Sequence, residues 1–170
     1  MAILKKVNGK YKNEEAIYNL VNYIFNADKM PHGILGGQGV YMFDAAGCME
    51  FVRRMLGAEG CRAEHYVLSF ADHEAVKLKH RKTIELGYRI CEYFKDRQAI
   101  FACHETKDKC DFMTGDRHGN IHFHFVVAAW NLHTGKKCTL NYNDFMTFRL
   151  YTEALLEEFE ISTDYLTAVY

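Results

Sequence analysis

His122 and His124 stand two apart in the run Asn120-Ile121-His122-Phe123-His124-Phe125-Val126-Val127, and His104 closes an earlier apolar run, Ala99-Ile100-Phe101-Ala102-Cys103-His104. Both runs carry the apolar and aromatic content of strands. Side chains on a strand alternate between its faces. His122 and His124 therefore point one way, while Ile121, Phe123, Phe125 and Val127 point the other way, into a core. With His104 at the end of a neighbouring strand, three imidazoles form half of a metal cage. By ligand softness they suit Mn, Zn, Ni, Cu or Fe better than Mg. Three protein ligands leave coordination positions open, the pattern of a catalytic rather than a closed structural site. Such an ion polarises a phosphoryl oxygen and neutralises charge that develops during an in-line displacement.

Tyr23 is the matching candidate nucleophile. The apolar residues Ile17, Leu20, Val21, Ile24 and Phe25 form one stripe at helical spacing. Tyr23 projects off that stripe, so the core does not need its hydroxyl. Phenols ionise at about 10 and need help to act as nucleophiles near neutral pH. A nearby cation supplies some of it. Metal plus tyrosine suits the making of a covalent phosphotyrosine link. The bland account of one strand histidine is a hydrogen-bonded core residue, but two at period two are harder to explain that way, because buried imidazoles need partners. A structural zinc site is the alternative, and it predicts that metal removal unfolds the domain.

The pattern predicts strands at 2–7, 64–70, 98–104 and 120–129, with a short strand near 138–140. Helices are expected at 13–26, 44–57, 73–95 and 142–159, with a glycine-rich connection near 33–39 and a polar loop at 105–119. The fold class is α+β: a central, mostly antiparallel sheet of about five strands with helices packed on one side. The turn Asn131-Leu132-His133-Thr134-Gly135-Lys136-Lys137 has hairpin chemistry. It is expected to return the chain beside the histidine strand and so make that strand central.

The chain has 170 residues, enough for one well-packed domain. It has no membrane-length apolar stretch, and its start lacks a signal peptide, so a soluble, cytoplasmic protein is expected. The cysteines at 48, 61, 91, 103, 110 and 138 contain no C-x-x-C pair and read as free thiols. A zinc site built from Cys110, His118 or Cys138 matches no structural-zinc spacing. The net charge of −1 argues against strong non-specific DNA affinity, though not against a local basic patch. Lys77, Lys79, His80, Arg81 and Lys82 form one basic run and Lys136 with Lys137 another, each read first as a solvated face.

Three stretches, in this order, resemble the relaxases, the mobilisation nucleases within the wider HUH endonucleases. Val21-Asn22-Tyr23-Ile24-Phe25-Asn26-Ala27-Asp28-Lys29 is similar to the family's tyrosine motif. His65-Tyr66-Val67-Leu68-Ser69-Phe70 is similar to the strand of its second motif. His104, His122-Phe123-His124-Phe125-Val126-Val127 and Thr134-Gly135-Lys136-Lys137 resemble its three-histidine motif and the following turn. The likeness spans about residues 1–160. It implies an HUH-nuclease-like fold and one nuclease domain over 1–170, either the nuclease part of a longer protein with further C-terminal domains or a small stand-alone member. It further implies binding of single-stranded DNA at a transfer origin, alongside accessory transfer proteins. In such enzymes a divalent metal, Mn or Mg in use and Zn or Ni when isolated, grips the scissile phosphate. The tyrosine attacks to give a 5′-phosphotyrosine and a free 3′-hydroxyl. Carried over, Tyr23 is the nucleophile and His104, His122 and His124 are the metal ligands.

Some positions depart from the family. Asparagine often follows the second histidine of H-x-H by four residues, where this chain has Ala128. An acidic residue often lies two places after the first histidine, where Thr106 stands, with Glu105 one place earlier. The stretch between His104 and His122 is lengthened by 107–118. These departures bear on the residues behind the ligands, and they motivate an alternative, a DNA-binding module without chemistry. A replication or transposition nuclease of the same superfamily is a third reading, but there the tyrosine usually follows the histidines. Candidate base-stacking aromatics are Tyr41, Phe43, Tyr66, Tyr142, Phe145 and Tyr151. Candidate phosphate contacts are Arg53, Arg54, Lys136 and Lys137.

Overall fold

The computed structural model describes residues 2–70, 78, 80–106, 120–162 and 166–170. In chain order the elements are β1 (Ala2–Val7), α1 (Ala16–Ile24), β2 (Leu35–Gln38), α2 (Ala45–Met55), β3 (Ala63–Phe70), α3 (His80–Glu92), β4 (Ala99–Thr106), β5 (Asn120–Ala128), α4 (Tyr142–Glu158) and β6 (Thr167–Val169). The six strands make one sheet in the order β2-β4-β5-β3-β1-β6. Every pairing is antiparallel except β1 with β6. The α+β class and the mostly antiparallel sheet stand as expected, with six strands where about five were expected.

Helices cover both faces of this sheet rather than one. Phe101, Phe123, Phe125 and Val127 pack with Leu86 and Ile90 of α3 and with Phe145, Phe148 and Leu155 of α4. On the opposite face Ile100, Ala102, Val126 and Ala128 pack with Ile17, Leu20 and Ile24 of α1 and Met49 of α2. The reason lies in the strands themselves. Over 99–103 and 125–129 both parities are apolar, the signature of a strand buried on both sides. Only beyond these stretches does the α1 face turn polar, at His104, His122 and His124.

The segment at 33–39, expected as a connection, contains the edge strand β2, which pairs with β4 from Leu35↔Ala102 to Gln38↔Ala99. Glycine has poor strand propensity, but here its bareness is what the packing requires. A Cβ on Gly36 would lie 2.7 Å from the Phe101 ring and 2.8 Å from that of Tyr88. Helix α4 begins with a capping box, Asn141 receiving the Asp144 amide and Asp144 the Asn141 amide. The 131–137 turn closes through Gly135, at φ 67°, whose amide donates to the Asn131 carbonyl at 2.9 Å. The chain after it makes only an isolated bridge, Trp130↔Lys137, and no strand forms at 138–140. Instead the Leu140 amide donates to the buried Glu64 carboxylate at 3.0 Å. The histidine strand is central all the same, because β3 and β4 flank it. Of the helix expected at 73–95, the described part is α3, and residues 71–77 and 79 lie outside the described residues. Among the described residues no helix is long and apolar enough to cross a membrane.

Candidate metal and nucleophile site

Strand register brings the three histidines together. His104 of β4 faces His122 of β5, and Ala102 faces His124. One ligand atom from each of His104, His122 and His124 lies within 4.8 Å of the others. His104 and His124 are buried, at 1 % and 4 % exposure, and His122 is half-buried. Nε2 of His104 donates to the Ile24 carbonyl at 2.7 Å, which leaves its Nδ1 as the ligand atom. Nδ1 of His124 lies 2.8 Å from Nε2 of His65. Nε2 of His124 is buried with no hydrogen-bond partner among the described residues. A buried polar atom left so costs about 1–3 kcal/mol. Three imidazoles whose ligand atoms lie within 4.8 Å of one another, one of them carrying a buried nitrogen without a partner among the described residues, fit a metal ion.

Burial lowers the pKa of His65, His104 and His124. His65 falls to about 4, through burial and then the charge of His104. His124 falls to about 2, through burial and then the neighbouring histidines and Lys29. His104 is also lowered by burial, against the opposing effect of its bond to Ile24. At neutral pH these rings are uncharged and keep the lone pairs that metal ligands need.

Tyr23 sits on the last turn of α1, off the buried stripe of Ala16, Ile17, Leu20, Val21 and Ile24. Its ring is 47 % exposed. It meets His124 edge-on with centroids 5.4 Å apart, His104 at 6.2 Å and His65 at 6.3 Å. The bond from His104 to Ile24 ties the adjacent residue of the same turn to a candidate ligand. Carbonyls at a helix C-terminus lack partners within the helix, so this one is available for the imidazole. After α1 a short 3₁₀ turn, Ala27–Lys29, is capped by Asn26. It brings the Lys29 ammonium over the Tyr23 ring, 4.5 Å from its centroid.

The sequence placed His65 only within a motif-like strand and gave Tyr11 no part. In the structure Nδ1 of His65 lies 3.3 Å from the Tyr11 hydroxyl. Parity puts His65 on the same face of β3 as Val67, and it is the register pairing Val67 with His124 that brings the two rings together.

A groove of about 510 Å³ opens beside the trio, lined by Lys5, Val7, Tyr11, Leu20, Tyr23, His65, Val67, His122 and His124. Tyr11 also borders two neighbouring grooves, one carrying Lys10, Asn13 and Asn19, the other Lys6, Lys12 and Lys137. The chain is near neutral overall, yet lysines gather around this face. Several sequence candidates fall elsewhere. Tyr66 and Phe145 are core residues with no exposure, because β3 and α4 each turn that position inward with their other apolar residues. Tyr151 donates its hydroxyl to the Arg89 carbonyl at 2.6 Å. Arg53 is bound to Glu50 at 2.9 Å and to the Ala58 carbonyl at 2.7 Å. Arg54, Lys136, Tyr41, Phe43 and Tyr142 are exposed. Ala128 lies in the α1–α2 core, four residues and roughly 13 Å along the strand from His124. Glu105 turns away from the trio to pair with His32 at 3.3 Å. The stretch 107–118, with Cys110 and His118, lies outside the described residues, as do Lys77 and Lys79.

A family model described as Relaxase: MobA/VirD2-like, nuclease domain, matches residues 23–161. The matched stretch opens at Tyr23 and contains His65 and all three histidines of the trio. No curated protein and no solved structure matches the chain.

Proposed function

The chain belongs to the MobA/VirD2-like relaxase nuclease family, and from that premise we propose that it nicks single-stranded DNA at a transfer origin, for conjugative mobilisation, through Tyr23. The observation that carries this reading is the set of three imidazoles converging beside the ring of a solvent-accessible tyrosine. His104, His122 and His124 would hold a divalent ion. When bound, it supplies a Lewis acid for a non-bridging phosphate oxygen.

The chain's own residues supply the rest. Tyr23 Oη forms a bond to phosphorus as the bond to the 3′ oxygen breaks. The phenolic proton is matched by the one gained at the new 3′-hydroxyl. One phosphodiester is exchanged for another, so neither water nor an oxidant is consumed and the reverse step rejoins the strand. The Lys29 ammonium over the ring is a fixed positive charge beside the transition state of the attack. The α1 stripe and the bond from His104 to Ile24 hold the tyrosine in position. Lys5, Lys10, Lys12 and Lys137 along the grooves meet the backbone of a single strand.

The test is incubation with a random-sequence pool of single-stranded oligonucleotides and Mn²⁺, resolved on a denaturing gel. The expected product is a slow-migrating protein–DNA adduct that the Tyr23→Phe variant does not form. Adduct formation by Tyr23→Phe at the parent's rate would remove Tyr23 from the chemistry. DNA binding with no adduct under any metal would favour a binding module instead.

A further inference from the structure

Behind His124 lies a second layer of polar contacts. His65 stands diagonally across from His124 on the paired strands β3 and β5, where His65 pairs with Val126 and Val67 with His124. Diagonal neighbours lie within reach of long side chains. The two rings stack with centroids 5.1 Å apart and planes at 29°. Both nitrogens of His65 are engaged, Nε2 with His124 at 2.8 Å and Nδ1 with the Tyr11 hydroxyl at 3.3 Å. His65 is 4 % exposed. The loop carrying Tyr11 is itself fixed: the Arg62 amide donates to the Tyr11 carbonyl at 2.7 Å, Arg62 Nε to the Lys12 carbonyl at 3.2 Å, and Arg62 Nη1 to buried Glu50.

From this chain of contacts we propose that Tyr11 and His65 form a positioning relay that fixes the tautomer and orientation of His124 for metal binding. The inference rests on the reading of the trio as a metal site. The proton order follows from the partners. A ligand nitrogen must offer its lone pair, and Nε2 of His124 is the atom with no other partner. Neutral His124 then carries its proton on Nδ1 and donates it to Nε2 of His65. Neutral His65 in turn carries its proton on Nδ1 and donates it to the Tyr11 oxygen. No other arrangement of two neutral rings satisfies both contacts and leaves Nε2 of His124 free. Hydrogen bonds of this kind fix ring orientation and raise ligand basicity. Here a neutral imidazole fills that role without adding negative charge, so the bound ion keeps its full attraction for phosphate. His65 acts through His124 and is a positioning residue.

The test is Mn²⁺ uptake followed by electron paramagnetic resonance of the free ion, with melting curves run alongside. Loss of the acceptor in His65→Ala is expected to weaken uptake by roughly 10–100-fold. His65→Gln, whose amide oxygen can replace Nε2 as acceptor, is expected to recover most of it. Tyr11→Phe is expected to weaken uptake only severalfold. Equal affinity in parent and His65→Ala overturns the relay alone, as does a His65→Gln variant no better than His65→Ala. A parent that takes up no Mn²⁺ overturns both the relay and the metal-site reading beneath it. Should His65→Ala fail to fold, the parent loaded with Zn²⁺ decides the matter by long-range ¹H–¹⁵N correlation of its histidines. Protons on Nδ1 of His65 and of His124 support the relay, and a proton on Nε2 of His65 overturns it.

Discussion

Glu50 on α2 and His124 on β5 are buried to nearly the same degree, at 2 % and 4 % exposure, yet their polar atoms are satisfied in opposite ways. Each Glu50 oxygen receives a guanidinium, Oε1 from Arg62 at 2.6 Å and Oε2 from Arg53 at 2.9 Å. Those arginines spend further donors on the Ala58 and Lys12 carbonyls. The cluster closes on itself and staples α2 to the start of β3 and to the loop carrying Tyr11. At His124 one nitrogen is bound from behind and the other has no partner among the described residues. Burial alone therefore does not separate structure from function. Closure separates these two clusters: the one whose atoms satisfy one another holds the fold, and the one that leaves Nε2 of His124 without a partner among the described residues, beside two further imidazoles, fits a ligand.

The strongest challenge to this contrast is removal of one member from each cluster. Glu50→Ala leaves two guanidiniums without their carboxylate. It is expected to lower the unfolding free energy by about 3 kcal/mol, since breaking a buried ion pair from one side is costly. His122→Ala is expected to abolish Mn²⁺ uptake while moving metal-free stability by less than about 1 kcal/mol. Urea denaturation of both variants without metal measures the difference. If His122→Ala costs as much as Glu50→Ala, the histidines belong to the fold and the contrast fails.

The histidine face was legible because strand period two and helix period 3.6 are local properties. His122 and His124 share a face by parity, and Tyr23 leaves the α1 stripe by angle. The part played by His65 was not legible, because it depends on β3 pairing with β5 in one register, a contact between residues 59 apart in sequence. The same limit explains β2. A run with Gly36 and Gly37 becomes a strand only because Phe101 and Tyr88 need the space beside it. Burial on both sheet faces was written in the continuous apolar runs of β4 and β5, but a strand taken as half-buried hides it. Tyr66 and Phe145 show the converse error. An aromatic residue suited to stacking on a base is equally suited to a core, and only the alternation of β3 and the stripe of α4 tell which.

A smaller effect sharpens the same contrast through pH. Burial by itself would raise the Glu50 carboxyl, but the hydrogen bonds and charges of Arg62 and Arg53 outweigh it and hold the group below its ordinary 4.5. The unfolded chain then takes up a proton at a pH where the folded chain has not. Stability from this group is present above 4.5 and is lost as pH falls through the lower folded value. Stability measured from pH 6 downward should therefore decline more steeply in the parent than in Glu50→Gln. An unchanged limb in Glu50→Gln would show that the cluster does not favour the ionised form.

The smallest expected effect falls at the junction of metal site and groove. Lys29 is exposed, so its replacement should leave the fold alone, changing stability by less than about 0.5 kcal/mol. Its ammonium nevertheless lies over the ring of Tyr23, beside the open end of the histidine trio. A cation over an exposed aromatic face contributes about 0.5–1 kcal/mol, which corresponds to roughly a 2–5-fold change in rate if the interaction strengthens as the phenol oxygen gains charge. Lys29→Gln should slow adduct formation by about that factor. If the same ammonium also meets a phosphate, the slope of log affinity for single-stranded DNA against log salt should fall by about 0.7. Lys95→Gln makes the same charge change on a residue that lines none of these grooves, and should alter neither quantity. A loss of rate in Lys29→Gln with an unchanged salt slope would place the lysine on the tyrosine alone. Equal behaviour of the two lysine variants would leave Lys29 without a role in either the attack or the holding of DNA.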